Sequence, residues 1–152
     1  TSFVMSGKNS IVFSTGTTAG KITFTVDAGA FGISGNAVTS VTVSPSPVVV
    51  TAGGASRTPT GLKVTLSGFD NTYSVSTLSF AFYDKNGAAI GTPVTTNVAT
   101  NFQSFYLGQI AGSSFLLLAN FPVTGDATQV GAVDVTATNT AGATRTQRMS
   151  FP

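Results

Sequence analysis

Residues 130–151 read VGAVDVTATNTAGATRTQRMSF. Val133, Val135 and Ala137 alternate with Asp134, Thr136 and Thr138, the period of a β-strand whose side chains point to opposite faces in turn. Asn139, Thr140, Ala141 and Gly142 follow, and Asn and Gly tolerate the positive φ of a tight turn at little cost. A second alternating run occupies residues 145–151 and completes a hairpin. The stretch therefore predicts the terminal hairpin of an antiparallel β-sandwich. A shorter version of the pattern, AGKITFTVDAG, occupies residues 19–29. That echo predicts that more than one sandwich is represented.

The same alternation recurs along the chain. Ile22, Phe24 and Val26 face away from Lys21, Thr23 and Thr25, and Val38, Val41 and Val43 mark a further strand. With the short apolar pieces Phe3, Val4, Met5 and Ile11, Val12, Phe13, residues 1–45 hold three or four strands, fewer than the seven or so of a complete sandwich. Ser44-Pro45-Ser46-Pro47 is the boundary signal, because proline removes a ladder donor and stiffens the chain. From there residues 46–152 carry a full set. Leu62, Val64 and Leu66 form one face until Gly68 breaks the alternation. Leu78, Phe80 and Phe82 form a second face, ending at the hairpin signal Asp84-Lys85-Asn86-Gly87. A short strand at Ala89 and Ile90 precedes Pro93, which fits a sheet edge. Residues 115–121 are almost continuously apolar, as expected of a strand covered on both faces or of a face meant for a partner. No stretch sustains a period of 3.6. The predicted class is all-β, with a partial N-terminal module (1–45) followed by a sandwich (46–152).

Composition narrows the function. Hydrophobic residues make up 41% of the 152, enough to build a core. Charged residues make up only 8%, against roughly 25% in ordinary soluble domains. The polar surface must therefore come from Ser, Thr, Asn and Gln. The net charge is +2 and the basic residues are scattered singly, so the clustered basic face of a nucleic-acid binder is missing. Cysteine is absent, which excludes disulfides and thiolate metal sites. No run approaches the ~18 apolar residues of a membrane-spanning helix. The chain opens on Thr rather than Met, as expected of an exported protein whose leader has been removed or of a fragment. The predicted location is extracellular or on the cell surface.

LKVTLSGFDN (62–71), LSFAFYDKNG (78–87) and VDVTATNTAGATR (133–145) resemble the Ig-like or fibronectin III-like modules of large bacterial surface proteins. The resemblance covers residues 47–151. The Cys–Trp–Cys core of immunoglobulin domains is missing, so it implies the architecture alone. Such modules serve as spacers, adhesin units or fibre units in tandem arrays and share no catalytic residues. Some carry a Lys–Asn cross-link assisted by a buried acid. Lys63 with Asn120 or Asn139, and Asp134 as the acid, would be the set here, but Lys63 and Asp134 both fall on predicted solvent faces.

Chemistry of the usual kinds finds little support. With no His and no Cys, triads built on those residues are excluded. The acids are Asp27, Asp70, Asp84, Asp126 and Asp134. Asp70, Asp84 and Asp126 sit in turn contexts, where Asp is favoured structurally. Asp126 would join Asp70 at one end of the sandwich if the two made a site. Asp84-Lys85-Asn86-Gly87 resembles the start of a calcium loop, but the later acidic ligand is missing and a plain hairpin turn is expected. No catalytic residue, metal or cofactor is predicted. For a glycan or host-surface ligand, Tyr83 is the exposed aromatic, pointing away from the Leu78, Phe80, Phe82 face.

The leading expectation is a structural subunit that polymerises head to tail with copies of itself. Incomplete strands in residues 1–45 leave open edges, and open edges pair with another chain unless blunted. A strand donated by a neighbour satisfies both hydrogen bonding and core burial. The expected donors are Phe3, Val4, Met5, Ile11, Val12 and Phe13. The alternative is a ligand-binding or glycan-binding adhesin module.

Overall fold

The computed structural model describes residues 16–27, 29, 32, 34–108 and 113–152. The expected donor residues Phe3, Val4, Met5, Ile11, Val12 and Phe13 lie outside them. The strands run β1 (Gly20–Val26), β2 (Ala37–Val43), β3 (Val49–Thr58), β4 (Gly61–Phe69), β5 (Thr77–Asp84), β6 (Val94–Asn97), β7 (Ser114–Pro122), β8 (Val130–Asn139), β9 (Gly142–Arg145) and β10 (Met149–Ser150). One helix, α1 (Ala99–Leu107), lies between β6 and β7. All pairings are antiparallel.

Two sheets pack face to face. One has the order β3-β4-β7; the other has β10-β8-β5-β6, with β9 beside β10 on the same flank of β8. The alternation read from the sequence dictates the interior. Leu62, Val64 and Leu66 of β4, Leu78 and Phe80 of β5, and Val133, Val135 and Ala137 of β8 are each at most 3% exposed. Phe121 of β7 bridges the layers, its ring centroid 4.8 Å from that of Phe80 and 5.0 Å from that of Phe82. At ~25 cal/mol per Å² of apolar surface, each such buried side chain stabilises the fold by about 1.5–3 kcal/mol before ordering costs.

Several local expectations are corrected. Gly68 does not end its strand: β4 continues to Phe69, and Gly68 makes room for the Phe115 ring, since a methyl there would stand 2.8 Å from Phe115 Cε1. The short strand before Pro93 is a single bridge between Tyr83 and Ala89, and the paired strand comes after the proline, as β6. The closing hairpin has a broken second arm. Thr146 interrupts it, its Oγ1 accepting from Val135 N at 2.9 Å while its own N–H donates to Val135 O. The run 115–121 is not covered on both faces: Phe115 is buried, whereas Leu116 and Leu118 are 65% and 52% exposed.

The helix is the largest departure from an all-strand reading. Phe102, Phe105 and Tyr106 stand at i, i+3 and i+4, and Phe102 and Tyr106 are buried. Asn97 Oδ1 accepts from Ala99 N at 3.0 Å and starts the first turn. Because α1 runs from β6, an edge of one sheet, to β7, an edge of the other, it closes that flank. Phe102 packs edge-on to Phe115 of β7 at 5.2 Å.

β1 and β2 form a separate two-stranded sheet, with Ile22 opposite Val41 and Phe24 opposite Thr39. Val26, Val38 and Val41 are 47%, 62% and 40% exposed. Residues 44–48 carry no strand and lead into the core at Val48, itself 1% exposed.

Candidate functional site

The flank opposite α1 is built differently. There β3 is the edge of one sheet and β9 with β10 the edge of the other, and between them lies a groove of about 920 Å³. Val48, Val50 and Ala52 line one wall, and Thr144, Gln147 and Met149 contribute to the other. The groove narrows where Met149 meets β3: a methyl on Gly53 would overlap the Met149 sulfur. Beyond that point Arg57 seals it. Its guanidinium donates to Val130 O at 2.7 Å, to Ala127 O at 3.3 Å and to Pro152 O. At the other end, near Val48 and Thr144, Asn139 Nδ2 donates to Ser46 O at 2.8 Å and a methyl on Gly142 would stand 3.5 Å from Pro47 Cγ, so the link into β3 ties the walls together there too. Each wall is a strand bonded to its sheet on one side only, so each presents outward N–H and C=O groups.

That end of the groove abuts a buried polar joint. Asp70 is 0% exposed and Asn139 5%. Asp70 Oδ1 accepts from Thr72 N (3.0 Å), Thr72 Oγ1 (2.7 Å) and Asn139 Nδ2 (2.9 Å), and Oδ2 accepts from Ser74 N (2.7 Å) and Val75 N (3.1 Å). Burial pushes this carboxyl up, but the hydrogen bonds from Thr72, Asn139 and Ser74 outweigh it and hold it below the ordinary 3.8. Asn139 also donates to Ser46 O at 2.8 Å, and its Oδ1 accepts from Ala141 N and Gly142 N. Asn71 clamps the incoming link, donating to Ser44 O and accepting from Ser46 N. The joint thus ties the β4–β5 connection, the β8–β9 turn and residues 44–46 together. Sequence reading placed Asp70 and Asn139 in turns and missed their pairing.

Residues 18 and 19 attach at the same end. Ala19 N donates to Asn71 O at 2.8 Å, and Thr18 Oγ1 lies 3.0 Å from the Tyr73 hydroxyl. Tyr73 in turn sits 4.8 Å from Tyr106 of α1, ring to ring, and its hydroxyl is 3.5 Å from Ser113 Oγ at the head of β7. Thr18 is therefore anchored at this end through Tyr73, which packs against Tyr106 of α1.

Tyr83 projects from the outer face of β5, on the side opposite Phe80 and Phe82. One face of its ring is covered by Arg148, whose Cζ lies 3.5 Å from the centroid, and its hydroxyl accepts from Arg145 at 2.9 Å. Both arginines pair with Asp134. Asp134 faces outward as its alternation predicts, but these neighbours bury it to 4% exposure, which corrects the expectation of a solvated carboxylate. Burial raises its pKa, and the bonds from Arg148, Arg145 and Tyr83 bring the net value below 3.8.

The other sequence-derived sets do not assemble. Lys63 and Asn120 are cross-strand partners on the outer face of the β4–β7 pair, while Asp134 is on the outer face of the opposite sheet. Asp126 caps a single helical turn at Ala127–Gln129, where bonds from Gln129 and Thr128 hold its carboxyl at about 2. That turn precedes the start of β8, and Asp70 lies against Asn139 at its end, so the two acids occupy opposite ends. Asp84 Oδ1 accepts from Asn86 N and Ala88 N, both at 2.8 Å, closing the hairpin. Among the described residues no group of three or more His, Cys, Asp or Glu gathers as a metal set, and no helix is long and apolar enough to cross a membrane.

No protein-family model, curated protein or solved structure matches the chain.

Proposed function

We propose that this protein is an extracellular structural subunit, an Ig-like β-sandwich that assembles head to tail by β-strand complementation. The observation that carries the reading is the β1–β2 sheet. It has two strands, and a two-stranded ribbon is marginal in water where three or more strands with a buried face are stable. Its Val26, Val38 and Val41 stay exposed, whereas Val48, Val64, Val75, Val133 and Val135 are buried to 0–1%. A strand from a neighbouring subunit would add both hydrogen bonds and cover.

Two further features support the reading. The antiparallel sheets β3-β4-β7 and β10-β8-β5-β6 support an Ig-like reading, in which α1 would stand where a further edge strand is expected after β6. The low charge leaves little like-charge repulsion between packed copies, with seven basic and five acidic residues in the whole chain. The covered face of Tyr83 weighs against a sugar-stacking platform, so assembly is preferred to glycan binding.

Light scattering on the full chain tests this. Mass is expected to grow with protein concentration, and Val12→Asp, which places a charge in an expected donor strand, is expected to hold the chain monomeric. Equal growth of the variant, or a monomeric parent at all concentrations, would contradict the proposal.

A further inference from the structure

Residues 44–47 read Ser-Pro-Ser-Pro, a link with little freedom of its own. Proline locks its φ near about −65°, and the residue before a proline is pushed to extended backbone. The segment that leaves β2 therefore loses little when it is held in place. We infer that the β1–β2 ribbon is a rigid arm, its direction on the sandwich set by Asn71, which grips the chain on both sides of the ribbon. This device belongs to a single chain and holds whether or not copies assemble.

Both crossings meet at Asn71. Its side chain holds the outgoing one: Nδ2 donates to Ser44 O at 2.9 Å, and Oδ1 accepts from Ser46 N at 3.0 Å and from Ser46 Oγ at 3.2 Å. Its backbone holds the incoming one, the carbonyl accepting from Ala19 N at 2.8 Å. Ala19 and Ser44 directly flank the first rung of the ribbon, Gly20 opposite Val43. One attachment at that rung would be a pivot, whereas two resist the swing. Thr18 adds to the incoming side, its Oγ1 lying 3.0 Å from the Tyr73 hydroxyl.

The grip is itself held firmly. Asn71 is buried and follows Asp70, whose carboxylate fastens the same turn through Thr72, Ser74 and Val75. Tyr73 in that turn has a φ of 53°, in the left-handed region, where a non-glycine residue persists only when its surroundings fix it. Asn139 holds the link from another side, donating to Ser46 O at 2.8 Å. The N–H, the carbonyl and the hydroxyl of Ser46 are thus all bonded to the sandwich. A free tether would leave those groups to water.

The absence of native cysteine allows paired nitroxide labels on the full chain. Thr25→Cys near the ribbon tip is combined with Lys63→Cys on the outer face of β4. Labelled chain is diluted into a large excess of unlabelled chain, so that pulsed dipolar spectroscopy reads distances within one chain only. A single narrow distance distribution is expected. Asn71→Ala, which releases the outgoing crossing, and Thr18→Ala with Ala19→Pro, which releases the incoming one, should each at least double its width. A second pair, Lys63→Cys with Thr95→Cys, spans the two sheets of the sandwich and should stay narrow throughout. A broad ribbon distribution in the parent would overturn the inference, as would a narrow one in either variant. Should Asn71→Ala broaden the sandwich pair as well, the Thr18 and Ala19 variant decides alone, because it changes no residue of the sandwich.

Discussion

Asp70 shows how much of this fold depends on one side chain. Its carboxylate collects donors from Thr72, Ser74, Val75 and Asn139 in a place with no solvent access. Removing it leaves buried N–H groups unpaired, at ~1–3 kcal/mol each. Asp70→Ala should therefore lower the unfolding free energy by about 3 kcal/mol or more, read from urea denaturation as a fall in midpoint with unchanged slope. The pH dependence follows from the same contacts. Asp70 and Asp134 are both held below 3.8 in the fold, so their stabilisation is complete above that value and is lost as pH falls through the lower folded values. With no His or Cys in the chain, no side chain titrates near neutrality in the ordinary way. Thermal melts should be flat from pH 5 to pH 8 and decline below about pH 4. The decline should be weaker in Asp70→Asn. Local sequence made the turn at Asp70 legible because Asp bonds to backbone two residues on. Its bond to Asn139 spans 69 positions and leaves no local trace. Asp134 was legible in direction, through its alternation with Val133 and Val135, but not in burial, which depends on where Arg145 and Arg148 fold back.

At the scale of elements, alternation found the strands that own a core face. β4, β5 and β8 bury the residues their period assigns. It failed where packing overrides pattern. Helix α1 has nine residues, below the ~12–15 at which isolated helices become stable. Its three aromatic positions were the available signal, and it is helical because Phe102 and Tyr106 find the core. In the sequence Gly68 reads as a break, since glycine lacks a side chain to continue the face. In the fold its missing Cβ is the space that the Phe115 ring occupies, with Val49 O on the other side at 2.9 Å from where a methyl would sit. Gly68→Val should cost about 1–3 kcal/mol through overpacking. A Gly68→Val, Phe115→Ala double variant should lose less than the sum of the two single changes, measured by a denaturation cycle. The β9–β10 break was also invisible, because Thr146 continues the alternation in sequence while its hydroxyl replaces a backbone acceptor in space.

For the whole molecule, the two flanks differ in a way that no local pattern records. One is closed by a helix and the other is left as a groove between two edges. The order of strands, and hence which edges face each other, emerges only from long-range pairing such as β4 with β7 and β5 with β8. The sequence predicts a full strand set after residue 46 and a smaller one before it; among the described residues β1 and β2 form a sheet of their own. An extracellular, strand-complemented subunit is the proposed reading, and it uses the exposed valines of that sheet and the low charge together. Negative-stain electron microscopy of the full chain at neutral pH tests it most directly. Unbranched filaments of serially joined modules are the predicted result, and a field of dispersed single particles at every concentration would contradict it.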